Sequence, residues 1–297
     1  MLYDRQRHLL ALLDALGGSS AHTDFQKLLF LYSRECETTP SYDFVPYKFG
    51  SFSFTSYADK RRMIDDGLLA EDDLTWRLTP AGRQAARASK IPPLPIARFC
   101  RQYPQRGDAL IAETYRRFPE MATRSEIVDR LPLDAAARQR IAYARPPHHA
   151  PGLLTIGYEG RSLEAYLNRL LSEGVTLLCD VRRNPLSRKY GFSKSTLSKA
   201  CEGVGVRYEH LPELGIESDK RQCLETQADY DELFAEYERK SLPHQKAALA
   251  KIKAWITGDK HRVALTCFEL HPQQCHRHCV AETLEKKFGR ALAARHL

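Results

Sequence analysis

Residues 152–188 read GLLTIGYEGRSLEAYLNRLLSEGVTLLCDVRRNPLSR, and this stretch decides the architecture. LLTIGY is a continuous apolar run of strand length, RSLEAYLNRLLSEG carries apolar residues at helical spacing, and VTLLCDV is a second apolar run. Ser162, or the residue before it, is placed to cap the helix. Strand, amphipathic helix and strand, each strand apolar on both faces, predict a parallel sheet covered by helices on both sides. The same alternation continues C-terminally. Lys194 to Glu202 reads as a helix, VRYEHL as a third strand, Tyr230 to Lys240 and Gln245 to Ile256 as helices, RVALTCF as a fourth strand, and 272 to 288 as a closing helix. The expected fold class is α/β: a Rossmann-like or flavodoxin-like parallel-sheet domain over 151–297, preceded by a mostly helical domain.

In such sheets, ligands bind beyond the carboxyl ends of the strands. Strand one exits into Tyr158-Glu159-Gly160, strand two into Asp180 to Ser187, and strand four into Cys267-Phe268-Glu269 followed by His271 to Arg277. The expected site is therefore a cleft where these three segments meet. Asp180 and Glu269 are candidate acid/base carboxylates, with an ion pair to Arg182, Arg183 or Arg277 as the alternative use of the same residues. Cys275 and His276 are a candidate nucleophile pair. If Cys275 lies in the first turn of the last helix, the helix dipole and Arg277 would lower its pKa; the alternative is a buried packing thiol. Arg182, Arg183 and Arg277 are candidates for clamping phosphate, with Tyr158, Ser187 and Cys267 completing the substrate site. No cofactor is expected. Cys267, Cys275, His276, His278 and Cys279 count like zinc ligands, but no C-x-x-C knuckle is present and Cys279 lies one helical turn from Cys275, so no metal is expected.

These segments also carry a resemblance. TIGYEG (155–160), D-V-R-x-x-P-x-S (180–187) followed by GFSK (191–194), YEHLPELG (208–215) and C-F-E-x-x-P-x-x-C-H-R (267–277) together resemble the domain of unknown function 488 family. The resemblance spans about 135 residues in register and implies a fold and a motif set, with a nucleic-acid association but no settled reaction.

The first half has a different period. Leu9, Leu10, Leu12, Leu13 and Leu16 stripe one helix, which Gly17-Gly18 ends; FQKLLFLYSREC (25–36) reads as a second, and Phe54 to Asp66 as a third. Leu68–Ala70, the acidic turn Glu71-Asp72-Asp73 and Thr75–Leu78 read as a two-stranded wing before a helix opening at Thr79-Pro80. Residues 50–86 are similar to winged-helix domains, and DFQKLLFLY (24–32) with YKFGSFS (47–53) is similar to Panacea-type, SocA-like antitoxin domains. That resemblance implies DNA contact through Lys60, Arg61 and Arg62, or a protein partner docked on the domain in its place. Residues 91–150, with Pro92, Pro93 and Pro95, read as a helical, proline-rich connector.

Charge and composition bound the function. The chain has 297 residues, a formal charge of +8 and a pI near 9.0, which permits a polyanionic partner, DNA before RNA, or a nucleotide. No apolar run reaches the roughly 18 residues of a membrane span, and the charged N-terminus lacks a signal peptide's apolar core. Eight irregularly spaced cysteines read as reduced thiols of a cytoplasmic protein. The leading expectation is a nucleic-acid-associated enzyme, of hydrolase or glycosidase type, acting on a nucleotide or modified base. The alternatives are a non-catalytic sensor or regulator, and a protein-docking module of antitoxin type.

Overall fold

The computed structural model describes residues 2–217, 219 and 224–297. The chain divides into two compact units, 1–145 and 146–297.

Unit 1 begins with α1 (Asp4–Ala15), which buries Leu9, Leu10, Leu12 and Leu13, the expected stripe. A short β1 (Ser19–Ala21) leads into α2 (His22–Glu35), and β2 (Val45–Tyr47) and β3 (Gly50–Phe52) form an antiparallel hairpin. Then come α3 (Phe54–Asp65), capped by Ser53, β4 (Thr75–Arg77) and α4 (Pro80–Arg87), capped by the Thr79 hydroxyl. The expected wing segments 68–70 and 75–78 meet at an isolated Leu69–Leu78 bridge, with the Ala70 amide donating to the Arg77 carbonyl at 2.9 Å; the full ladder of β4 runs instead to β1, with Ser20 opposite Trp76. Three residues of Ser-Ser-Ala carry no alternation, which is why β1 is silent in the sequence.

The segment expected as a connector is built into unit 1. The helices α5 (Pro93–Gln102) and α6 (Gly107–Arg117) bury Ile96, Phe99, Tyr103 and Leu110 in the same core as Leu9 and Phe25. The prolines that looked like linker punctuation occupy the first turn of α5, where an N–H has no helical partner to lose. The last helix of the unit is α7 (Ala135–Ala144), where the Asp134 carboxylate accepts from the Ala137 amide at 2.7 Å.

Unit 2 is a five-stranded, all-parallel sheet of β5 (Gly152–Gly157), β6 (Leu177–Asp180), β7 (Arg207–His210), β8 (Arg262–Cys267) and β9 (Ala294–His296), in the order β7-β6-β8-β5-β9. Its helices are α8 (Leu163–Ser172), α9 (Lys194–Gly203), α10 (Gln227–Glu236), α11 (Lys246–Thr257) and α12 (Arg277–Phe288). Leu177, Cys179, Val263, Leu265 and Cys267 point into one core with Leu249, Ile252 and Trp255 of α11 and Val280 and Leu284 of α12. From the other face, Tyr166 of α8 donates to Thr266 at 2.7 Å. Register is what makes a site. Gly157 lies opposite Cys267, and Asp180 opposite both Thr266 and His210, so four strands end at one rim. No helix among the described residues is long and apolar enough to cross a membrane, and no disulfide joins the described cysteines.

Candidate functional site

Segments that lie about a hundred residues apart converge at that rim. A cleft of about 490 Å³ is lined by Tyr158 after β5, by Arg182, Arg183, Asn184 and Leu186–Lys189 after β6, and by Cys267, Phe268 and Glu269 at the end of β8, with Ile216 closing one side. A second hollow of about 240 Å³ shares Arg183 and Ile216 with it.

Asp180 and Arg182 are committed to each other. Asp180 is fully buried and Arg182 is 5% exposed. The guanidinium donates to both carboxylate oxygens, at 2.8 and 2.5 Å, and the Arg182 amide and the Tyr208 hydroxyl donate to the same carboxylate at 3.1 and 2.7 Å. Residues two apart at an extended strand end present their side chains to one side, so the sequence D-V-R builds this pair locally. The remaining Arg182 nitrogen donates to the Tyr158 hydroxyl at 2.8 Å and to the Phe192 carbonyl at 2.9 Å. Burial opposes the charge on Arg182, but the Asp180 hydrogen bonds and charge outweigh it and raise its pKa; burial, then Asp180, also pushes the Tyr208 phenol up. Of the two expected roles for Asp180, the ion pair is the one this geometry builds, and Arg182 has few donors left for a phosphate.

Tyr158 is buried and stacks on Phe192, with ring centroids 4.3 Å apart and planes 8° from parallel, while Phe268 meets it edge-on at 5.3 Å. Its ring is a floor for Arg182 more than a platform for a base. Ser187 is a turn residue: its hydroxyl accepts from the Lys189 amide at 3.1 Å, and its own amide donates to Ser193 at the same distance.

Arg277 is also structural. Fully buried, it donates to the carbonyls of Glu269 at 2.6 Å and Leu270 at 2.9 Å, and to Thr155, so it shapes the loop that carries Glu269. Opposite, Gly157 lets that loop approach: a Cβ there would lie 1.9 Å from the Glu269 carbonyl oxygen, a backbone atom that cannot swing aside. Gly157→Ala is therefore expected to destabilise unit 2 by about 3 kcal/mol and displace Glu269. Gly152→Ala, whose Cβ meets the flexible Arg262 end at 3.6 Å and the Ala150 carbonyl oxygen at 4.0 Å, both ordinary contacts, should change stability little, and equal denaturation midpoints for the two variants would refute the close-approach argument.

Cys275 departs from expectation. The turn Pro272–Gln274 is a separate 3₁₀ turn and α12 opens at Arg277, so Cys275 precedes the helix. It is fully buried, and burial, then the adjacent Cys267 thiol, raise its pKa well above the ordinary value. The lowered pKa expected from the helix dipole is reversed, because a desolvated thiolate costs more than the dipole returns. His276, buried beside it, has Nε2 3.0 Å from the Val181 carbonyl.

Arg183, Arg188 and Lys189 remain. Arg183 and Arg188 are exposed and make no ion pair among the described residues. Lys189 lies over the Phe192 ring and donates to the Tyr158 carbonyl at 3.2 Å. Arg188 and Lys189 were missed by motif reading because neither lies on a strand end; the S-R-K-Y run after the turn was the available signal. Gly215 packs on the backbone of Arg183, where a Cβ would sit 2.1 Å from its amide nitrogen, and so fixes where this arginine emerges.

In unit 1 the three expected phosphate contacts separate. Lys60 is 4% exposed and turned inward, donating to the Asp72 and Thr75 carbonyls at 2.8 and 3.0 Å and approaching His22 at 3.0 Å. It staples the acidic turn and cannot face a phosphate backbone. Arg61 and Arg62 are exposed, with Arg62 beside Asp66 and over the Tyr3 ring.

The fold and rim define a class: a parallel α/β domain with a cationic cleft at its strand ends. Residues 162–284, within unit 2, match the family model described as domain of unknown function DUF488. No curated protein and no solved structure matches the chain.

Proposed function

We propose that unit 2 binds a phosphate-bearing ligand, a nucleotide or a nucleic acid, in the strand-end cleft. The observation that supports this is the disposition of charge: Asp180 is neutralised inside by Arg182, while Arg183 and Arg188 stand exposed at the rim with no ion pair among the described residues. Lys189 adds a third cation, and phosphate oxygens are the natural acceptors for such a set. Binding without chemistry fits the buried, saturated Asp180 better than acid/base work does. The enzymatic reading rests on Glu269, the one carboxylate among the cleft's described lining residues, positioned as a sole general base. Unit 1 would supply targeting; with Lys60 buried and an acidic turn beside it, a protein partner suits that face better than DNA.

The test is titration of the full chain with a fluorescent mononucleotide and a 5′-phosphorylated DNA oligonucleotide. Arg183→Ala with Arg188→Ala is expected to weaken binding by at least about tenfold, with a shallower dependence on salt. Unaltered affinity in that double variant would remove the proposal. Recovery of the ligand chemically changed, with loss of the change in Glu269→Gln, would decide for the enzyme.

A further inference from the structure

We propose that Cys267, Cys275 and His276 form a binding site for a thiophilic d10 cation, zinc. The five residues that counted as ligands in the sequence divide in space. Cys267, Cys275 and His276 are all buried, with one ligand atom from each lying within 4.8 Å of the others, and Cys267 Sγ is 3.9 Å from His276 Nδ1. Cys279 instead contacts His278, at 3.5 Å. Around tetrahedral zinc, with bonds of about 2.0–2.3 Å, donor atoms sit roughly 3.5–3.8 Å apart, so the trio needs contractions of about 1 Å or less.

The imidazole is already set. His276 Nε2–H donates to the Val181 carbonyl at 3.0 Å, which leaves the Nδ1 lone pair facing the thiols. This is the arrangement of a metal-binding histidine, whose far N–H is held by a carbonyl or carboxylate. The Tyr237 ring meets His276 edge-on at 6.0 Å and limits its rotation. Two sulfurs and one imidazole nitrogen suit zinc and exclude hard cations.

Electrostatics favour the same occupant. Zn²⁺ replaces the two thiol protons, forming two Zn–S bonds and one Zn–N bond and releasing two H⁺. The buried assembly is then neutral, where two bare thiolates would be intolerable. Cys267 also lines the strand-end cleft, so the ion would sit at its floor. The proposal stands independently of a phosphate ligand, and its test uses none.

The full chain is stripped with chelator under reducing conditions, incubated with zinc or cobalt, desalted, and its metal measured. About one zinc per chain is expected in the wild type and in Cys279→Ser, and little in Cys267→Ser or Cys275→Ser. The cobalt form should show a strong near-ultraviolet thiolate-to-metal band and the intense visible bands of a four-coordinate site. Wild type that retains no zinc overturns the proposal. So does a weak, six-coordinate cobalt spectrum, or zinc lost in Cys279→Ser but kept in Cys275→Ser. Should a serine variant fail to fold, the wild-type cobalt spectrum decides alone.

Discussion

Asp180→Ala is expected to cost unit 2 about 3–5 kcal/mol, because it leaves the Arg182 guanidinium buried without its counter-charge. Arg182 would keep Tyr158 and Phe192 as acceptors, and neither carries charge. The chain's two tryptophans fall one in each unit, Trp76 and Trp255, so urea unfolding of a Trp76→Phe background reports unit 2 through Trp255. The double variant Asp180→Ala, Arg182→Met should recover much of the loss, since the stranded charge goes with the side chain. A single-variant loss below about 1 kcal/mol would mean that the pair is solvated, and that Asp180 is again open to acid/base chemistry.

A second large effect belongs to unit 1. Lys27 is 2% exposed and its ammonium donates to the Ser51 carbonyl at 2.8 Å. Burial, opposed by the charge of Asp24, lowers its pKa from 10.5 to about 7. Between these values the unfolded chain holds the proton that the folded chain has released, so stability rises with pH. The rise amounts to about 5 kcal/mol by pH 10.5, and below pH 7 this contribution is flat. Lys27→Met removes the dependence while forfeiting a hydrogen bond of about 1 kcal/mol, and should exceed the wild type at pH 7 by about 3 kcal/mol. Unfolding followed through Trp76 in a Trp255→Phe background measures it. Parallel stability curves for the two proteins from pH 7 to 10 would show that Lys27 titrates as a solvated amine.

Much of the α/β domain was legible because its signals are local. Apolar runs of strand length, Ser162 as a cap and the rule that ligands gather at strand ends are enough to expect the segments after residues 157, 180 and 267 at one rim, where the register of β5, β6 and β8 sets them. What escaped was set by distant partners. The strands β1 and β9 are three residues each and become strands only through neighbours that complete their ladders, β4 and β5. The prolines of α5 read as linker because nothing local says that Ile96 and Phe99 reach the core of α1. Within the site, the sequence shows which charged residues share a rim but not which cancel. Arg182 and Arg183 are adjacent letters, yet one is sealed against Asp180 and the other faces solvent. Lys60 failed similarly: its helix was right, but its amine found three acceptors in a turn twelve to fifteen residues on and at His22.

The inward commitment of Arg182 and Arg277 has a consequence for comparing this chain with others. The letters that make its motifs stand out are largely those that hold the frame: the D-V-R pair clamps a strand end, and the arginine of C-H-R props the 269–270 loop. Two chains can share these letters and carry different cargo. Divergence in what is held would be written in the plainer stretch 183–189, where side chains face outward and the backbone is already fixed beneath them.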